Sequence, residues 1–157
     1  MQKITPFLWF DNNAEEAMKF YTSIFKNSRI GKVTRYSEGA PVPAGTFMTG
    51  TFRIEGQEFV ALNGGPIFKF TEAISFVVNC ETRREMDEFW GRLSDGGEPG
   101  QCGWLKDKFG LSWQIVPAVL MEMVQDRDPA RVARVMKAIM RMKKLDVAGL
   151  EEAYRSG

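Results

Sequence analysis

The sequence predicts an α+β fold of two tandem βαβββ modules, at about residues 2–63 and 72–117, followed by a C-terminal helical extension over 118–157. Three observations carry that prediction. A β-branched and aromatic run at 4–10 leads directly into a capped helical pattern; the same order restarts at 73–79; and both helices stop before short strand-like runs punctuated by glycine. Internal similarity of this kind is a stronger fold signal than any single element. A chain of 157 residues fits one domain, over 1–117, with its extension, and buries roughly 70% of its unfolded surface without disulfide or metal staples.

In the first module, ITPFLWF (4–10) reads as a strand, and Asn13 with Glu16 three positions later resembles a capping box with asparagine in the capping place. Ala17, Phe20, Tyr21, Ile24 and Phe25 then fall on one helical stripe that ends near Asn27. Strands are expected at about 29–37, 46–55 and 58–63, with EGAPVPAG separating the first two and Gly56 marking a tight hairpin. NGGPIFKF (63–70) is a linker, because two glycines and a proline break any regular element.

The second module opens with AISFVVN (73–79), and Thr82 with Glu85 forms a capping box. Met86, Phe89, Trp90 and Leu93 repeat the helical spacing before Gly96 and Gly97 stop it. Strands follow at about 101–106 and 111–116, and the one still missing is either very short or hidden within 98–103. Beyond Pro117 the chain is helical: Asp128 caps a helix that opens on Pro129, and a further short helix starts at Asp146. Val132, Val135, Met136, Ile139 and Met140 form its apolar face, which is expected to dock on its own domain or on a twin subunit rather than on a membrane or target protein.

Composition excludes several functions. Twenty-one basic residues against 20 acidic ones leave a net charge of +1, which argues against a nucleic-acid or membrane-surface partner. The chain contains no histidine, so no mechanism can use imidazole as acid, base or ligand. Two cysteines, no apolar run long enough to span a bilayer, and an amino terminus without signal-peptide features set a cytoplasmic expectation.

Tandem βαβββ units with Phe20-Tyr21 in the first helix and Asp107-x-x-Gly110 before the last strand resemble the vicinal oxygen chelate superfamily, which includes the glyoxalases, bleomycin-resistance proteins and related dioxygenases. The strings PFLWFDNNAEEAMKFY, FVALNGGPIFKF and GWLKDKFGLSWQIVP are similar to its PhnB-like branch, the 3-demethylubiquinone-9 3-methyltransferase-like domains. The resemblance covers residues 2–117 closely and implies a glyoxalase-like half-barrel cup from each module, with a divalent metal held by the first and last strands of each. It also implies a homodimer. Carried over position by position, the ligand places fall on Thr5, on Val60 or Ala61, on Ala73 or Ile74, and on Gln114, of which only Gln114 brings a serviceable oxygen. Branch members often carry histidine in the NGGP-x-F segment, where this chain has Ile67. No metal and no other cofactor is therefore expected.

What the cup offers instead is aromatic. Trp9, Phe68, Trp104 and Trp113, with Phe7 beside them and Asn63, Ser75 and Gln114 as polar groups, are the expected ligand-binding residues for a small planar molecule. Cys102 with Lys106 or Lys108 nearby is a weaker candidate nucleophile that lacks a histidine base, and Cys80 has less support still. Asp107 to Gly110 reads as a turn in which the aspartate bonds its own backbone. No phosphate-cradling motif opens a helix, so no methyl-donor or nucleotide site accompanies the methyltransferase resemblance. Three functional readings follow: a metal-poor cup that binds a small aromatic or amphipathic molecule; a metal-assisted dioxygenase, lyase, isomerase or group-transfer enzyme using Gln114 with Glu58 or Glu72; and an interaction module working through the terminal helices.

Overall fold

A computed structural model describes residues 2–156, which divide into two units, one ending at Phe70 and the other beginning at Thr71. The first unit runs β1 (Phe7–Phe10), α1 (Ala14–Ile24), β2 (Arg29–Arg35), β3 (Phe47–Ile54) and β4 (Gln57–Asn63). Its sheet has the order β1-β4-β3-β2, with β1 parallel to β4 and the other pairs antiparallel. Strand alternation sorts β1 as expected: Leu8 and Phe10 are buried, while Phe7 and Trp9 lie on the other face. Leu8 and Phe10 share their core with Ala14, Ala17, Met18, Tyr21 and Ile24 of α1, and Tyr21, Phe52 and Phe59 stack in sequence with centroids 6.0 and 5.3 Å apart. The β3–β4 loop is Glu55-Gly56, both at positive φ (49° and 81°), a primed turn whose twist suits a two-residue hairpin.

The start of α1 differs from the expected capping box. Asn13 occupies the capping place, but its side chain makes no capping bond; Asn63 Oδ1 instead accepts from Ala14 N at 2.8 Å. The end of β4 therefore caps a helix 49 residues away in sequence.

The second unit repeats the topology: β5 (Ser75–Cys80), α2 (Arg83–Ser94), β6 (Glu98–Pro99), β7 (Trp104–Lys106) and β8 (Ser112–Pro117), in the order β5-β8-β7-β6 with β5 parallel to β8. The elusive strand is β6, two residues long and at the sheet edge, where Pro99 loses nothing by lacking an N–H. Thr82 caps α2 by accepting from Glu85 N at 3.1 Å, while the Glu85 carboxylate accepts from Glu81 N at 3.0 Å, one residue beyond the N-cap amide that the standard box uses.

Residues 101–103 are a turn rather than the start of β7, because the helical extension holds them. Met142 O and Lys143 O accept from Cys102 N and Gly103 N, each at 2.7 Å, and Leu145 sits so close that a Cβ on Gly103 would lie 2.9 Å from its Cγ. The extension, α3 (Ala118–Val124), α4 (Pro129–Ile139) and α5 (Val147–Arg155), is thus continuous with the second unit. Asp128 and Asp146 cap α4 and α5. Only part of the expected α4 stripe is covered: Val135 and Ile139 are buried, but Met136 and Met140 are 46% and 69% exposed. On the same helix Arg134 donates its guanidinium to Ala153 O and Tyr154 O at 2.9 and 3.1 Å, at the carbonyl end of α5. Among the described residues no helix is long and apolar enough to cross a membrane.

Candidate functional site

Parity along β8 decides which side chains meet. Trp113 and Gln114 are neighbours in a strand and so face opposite ways. Trp113 goes to the core, 3% exposed, stacked edge-on against Phe76, with its indole N–H donated to Asp107 Oδ2 at 2.9 Å. Asp107, itself 2% exposed, uses Oδ1 to accept from Phe109 N and Leu111 N at 2.9 and 3.0 Å. The Asp107–Gly110 segment is thus the self-bonded turn expected of it, with Trp113 as an additional donor.

The opposite face carries Gln114 and everything in phase with it. Ser112 pairs with Ser75 on one side and Lys106 on the other; Gln114 pairs with Val77 and Trp104. Gln114 Nε2 donates to Ser75 Oγ at 2.9 Å, which joins two of the expected binding residues and sets Trp104 beside them. Next to this row lies a cavity of about 430 Å³ lined by Glu72, Glu98, Gln101, Trp104, Lys106 and Ser112, among others. That volume is within the range of small-molecule pockets. Lys106 is ion-paired with Glu72 at its rim. The Glu72 hydrogen bond and charge hold the ammonium above its ordinary pKa, and the same bond holds Glu72 below the usual carboxylate value.

Ser112 is only 1% exposed, and its Oγ, among the described residues, is the one buried side-chain nitrogen or oxygen with no hydrogen-bond partner. A buried hydroxyl left unpaired is costly, and Ser112 is among the residues that line this cavity. Other cavities, of about 350 and 360 Å³, lie among the extension helices and at the start of α2, without such a group in their walls.

The first-unit candidates form a different assembly. Trp9 donates its indole N–H to Gly65 O at 2.9 Å and meets Phe68 edge-on at 4.9 Å, with Gly64 so close that any Cβ there would overlap the indole. Asn63 is committed through Oδ1 to Ala14 N and through Nδ2 to Phe47 O at 3.3 Å. Trp9, Phe68 and Asn63 thereby fasten the 64–70 linker and cap α1. Cys80 is a core residue whose thiol burial, with Glu85 adding its charge, pushes up to about 11, and Cys102 is half-buried in the turn at φ 60°. Glu98 and Ser112 escape a motif search, although Ser112 follows from Gln114 by alternation alone.

A divalent metal of the kind the superfamily uses does not fit these residues. Gln114 faces a hydroxyl, Lys106 brings a competing cation, and Ala61 of the carried-over ligand places is buried in the core. Among the described residues no three of His, Cys, Asp and Glu gather to hold an ion.

The family model described as 3-demethylubiquinone-9 3-methyltransferase matches residues 2–116. A PhnB protein from Bacillus cereus is 43% identical, with the alignment covering 74% of this chain and 100% of that one at a TM-score of 0.67. A protein from Pseudomonas aeruginosa at 19% identity (74% and 98% covered, TM-score 0.61) shares the fold. So does the fosfomycin resistance protein FosX from Listeria monocytogenes, solved with Mn(II) and sulfate, at 16% identity (80% and 98% covered, TM-score 0.54). Comparison with curated proteins returns no significant match. The sequence match over both modules and the 43% identity to a PhnB protein agree, and the chain belongs to the PhnB-like, 3-demethylubiquinone-9 3-methyltransferase family.

Proposed function

We propose that the chain binds a small aromatic or amphipathic organic molecule in the second-unit cavity, without a metal. The observation that carries this reading is the unpaired buried hydroxyl of Ser112 in the wall of a cavity that also presents the indole of Trp104. An indole supplies flat contact area and the hydroxyl supplies one aimed polar contact, the combination that orients a small planar ligand. The test is a ligand-detected fragment screen of the full chain, beside elemental analysis of the protein as isolated. Hits that shift the Trp104 indole resonance and vanish in Trp104→Ala support the reading. Stoichiometric divalent metal, or no hit that senses Trp104, refutes it.

One observation favours a second reading, a metal-assisted enzyme of the superfamily or a group-transfer enzyme such as the family description names. Glu72, one of the two acids that could partner Gln114, lines the cavity and precedes by three residues Ser75, whose Oγ accepts from Gln114. Under that reading Gln114→Ala abolishes turnover while circular dichroism and the unfolding midpoint stay unchanged; retained turnover removes Gln114 from the chemistry.

A further inference from the structure

The charges around the cavity are unequal. Glu72 and Glu98 bring two carboxylates against the single ammonium of Lys106. Glu98 lies opposite Lys106 in the β6–β7 register, but it is Glu72 that takes the ammonium as its ion-pair partner. The Glu98 carboxylate is exposed and acts on Lys106 through its charge, as the smaller of the two acidic influences, without a contact ion pair among the described residues. An anionic ligand entering here meets that carboxylate and has to draw Lys106 away from Glu72. A cation meets the reverse situation, and the indole of Trp104 adds the negative face of a π system on the same side. The acids alone would say little, since exposed carboxylates are usually just solvated. The independent observation is Ser112, a residue lining the same cavity whose buried Oγ has no hydrogen-bond partner, so that a polar ligand atom reaching it supplies the missing bond.

Building on the binding reading above, we propose that the cavity selects a cationic ligand: a flat ring bearing a protonated amine directed at Glu98 and Trp104, and a hydroxyl or equivalent polar atom seated on Ser112. The ring is limited to one or two fused cycles by the cavity of about 430 Å³.

Three probes of one shape and different charge test this on the full chain at low salt: tyramine, 4-ethylphenol and 3-(4-hydroxyphenyl)propionate, titrated by calorimetry with tryptophan fluorescence alongside. A partly exposed ion pair together with a cation–π contact is worth about a 10-fold preference for tyramine over 4-ethylphenol, with the propionate weakest. Glu98→Gln shrinks the preference while leaving 4-ethylphenol unaffected, and Ser112→Ala weakens both phenols alike. Equal binding of tyramine and 4-ethylphenol, or a preference that survives both Glu98→Gln and Glu72→Gln, overturns the charge selection and leaves the binding reading standing. If no probe binds at millimolar concentration while the fragment screen still finds ligands at Trp104, the selection falls alone; if the screen is also empty, both fall.

Discussion

Replacing Asp107 by asparagine isolates one buried acceptor from the rest of the second unit. The carboxylate serves three donors: Phe109 N and Leu111 N on Oδ1, and the Trp113 indole on Oδ2 at 2.9 Å. An asparagine oxygen can keep the two backbone donors, but its NH₂ then points at the indole N–H, donor against donor, where Trp113 is 3% exposed. The loss is one buried bond to a charged acceptor plus an orphaned indole N–H, about 2–4 kcal/mol. Guanidinium unfolding followed by tryptophan fluorescence reads it. Because the chain has two units, the transition assigned to the second is the one to fit. Trp113→Phe removes the indole donor, so Asp107→Asn placed on that background should cost less than on wild type, by about 1.5–3 kcal/mol of coupling. A cost below about 1 kcal/mol, or the same cost on both backgrounds, would falsify the claim that the carboxylate holds the indole.

Other predictions follow from the same geometry. Asn63→Ala should cost about 1–2 kcal/mol in equilibrium unfolding through loss of the α1 cap, whereas Asn13→Ala, which removes no capping bond, should fall within about 0.5 kcal/mol of wild type. In native protein at pH 8 one thiol, Cys102, should react with a disulfide reagent and Cys80 only after unfolding; two fast equivalents would contradict the burial of Cys80. Since burial holds the Cys80 thiol at about 11 against 9.0 in the open chain, the native state keeps that proton longer. Its contribution to stability is full below pH 9.0 and is lost as pH rises through about 11, which alkaline denaturation measures. Sedimentation at micromolar concentration should show the homodimer expected of the family, and a single species of monomer mass removes that expectation.

The repeated topology was legible in the sequence because strand, capped helix and glycine stop are local signals, each written within a dozen residues. What escaped was non-local. Asn63 caps α1 across 49 residues, a bond no local motif encodes, so Asn13 took the credit on spacing alone. The 101–103 turn depends on carbonyls of Met142 and Lys143, forty residues on, and without them the segment reads as strand. An ideal wheel puts five apolar residues of the α4 region on one stripe, but which of them are covered depends on distant neighbours, and the fold buries Val135 and Ile139 while Met136 and Met140 stay out. Within the site, Trp104, Ser75 and Gln114 were readable from residue type and phase. Trp113 was set beside Gln114 because it is aromatic, although period-two alternation already forbids adjacent residues from sharing a face.

The two sheets repeat one strand order, and the residues on matching faces show where polar groups have been placed. In the first unit one row reads Phe7, Val60, Thr51 and the next Trp9, Leu62, Thr49. Two rows on the corresponding face of the second unit read Ser75, Ser112, Lys106 and Val77, Gln114, Trp104. Ser112 contributes a hydroxyl buried without a partner, a liability that structure alone does not require. Ser112→Val puts a β-branched side chain on a central strand beside the cavity. Removing the unpaired hydroxyl should raise the stability of the second unit by about 1 kcal/mol and at the same time weaken binding of hydroxylated ligands. Stability and binding moving in opposite directions is the signature of a residue kept for its ligand. If Ser112→Val instead destabilises the unit by more than about 1 kcal/mol, the hydroxyl serves the fold and the cavity loses its principal claim to a ligand.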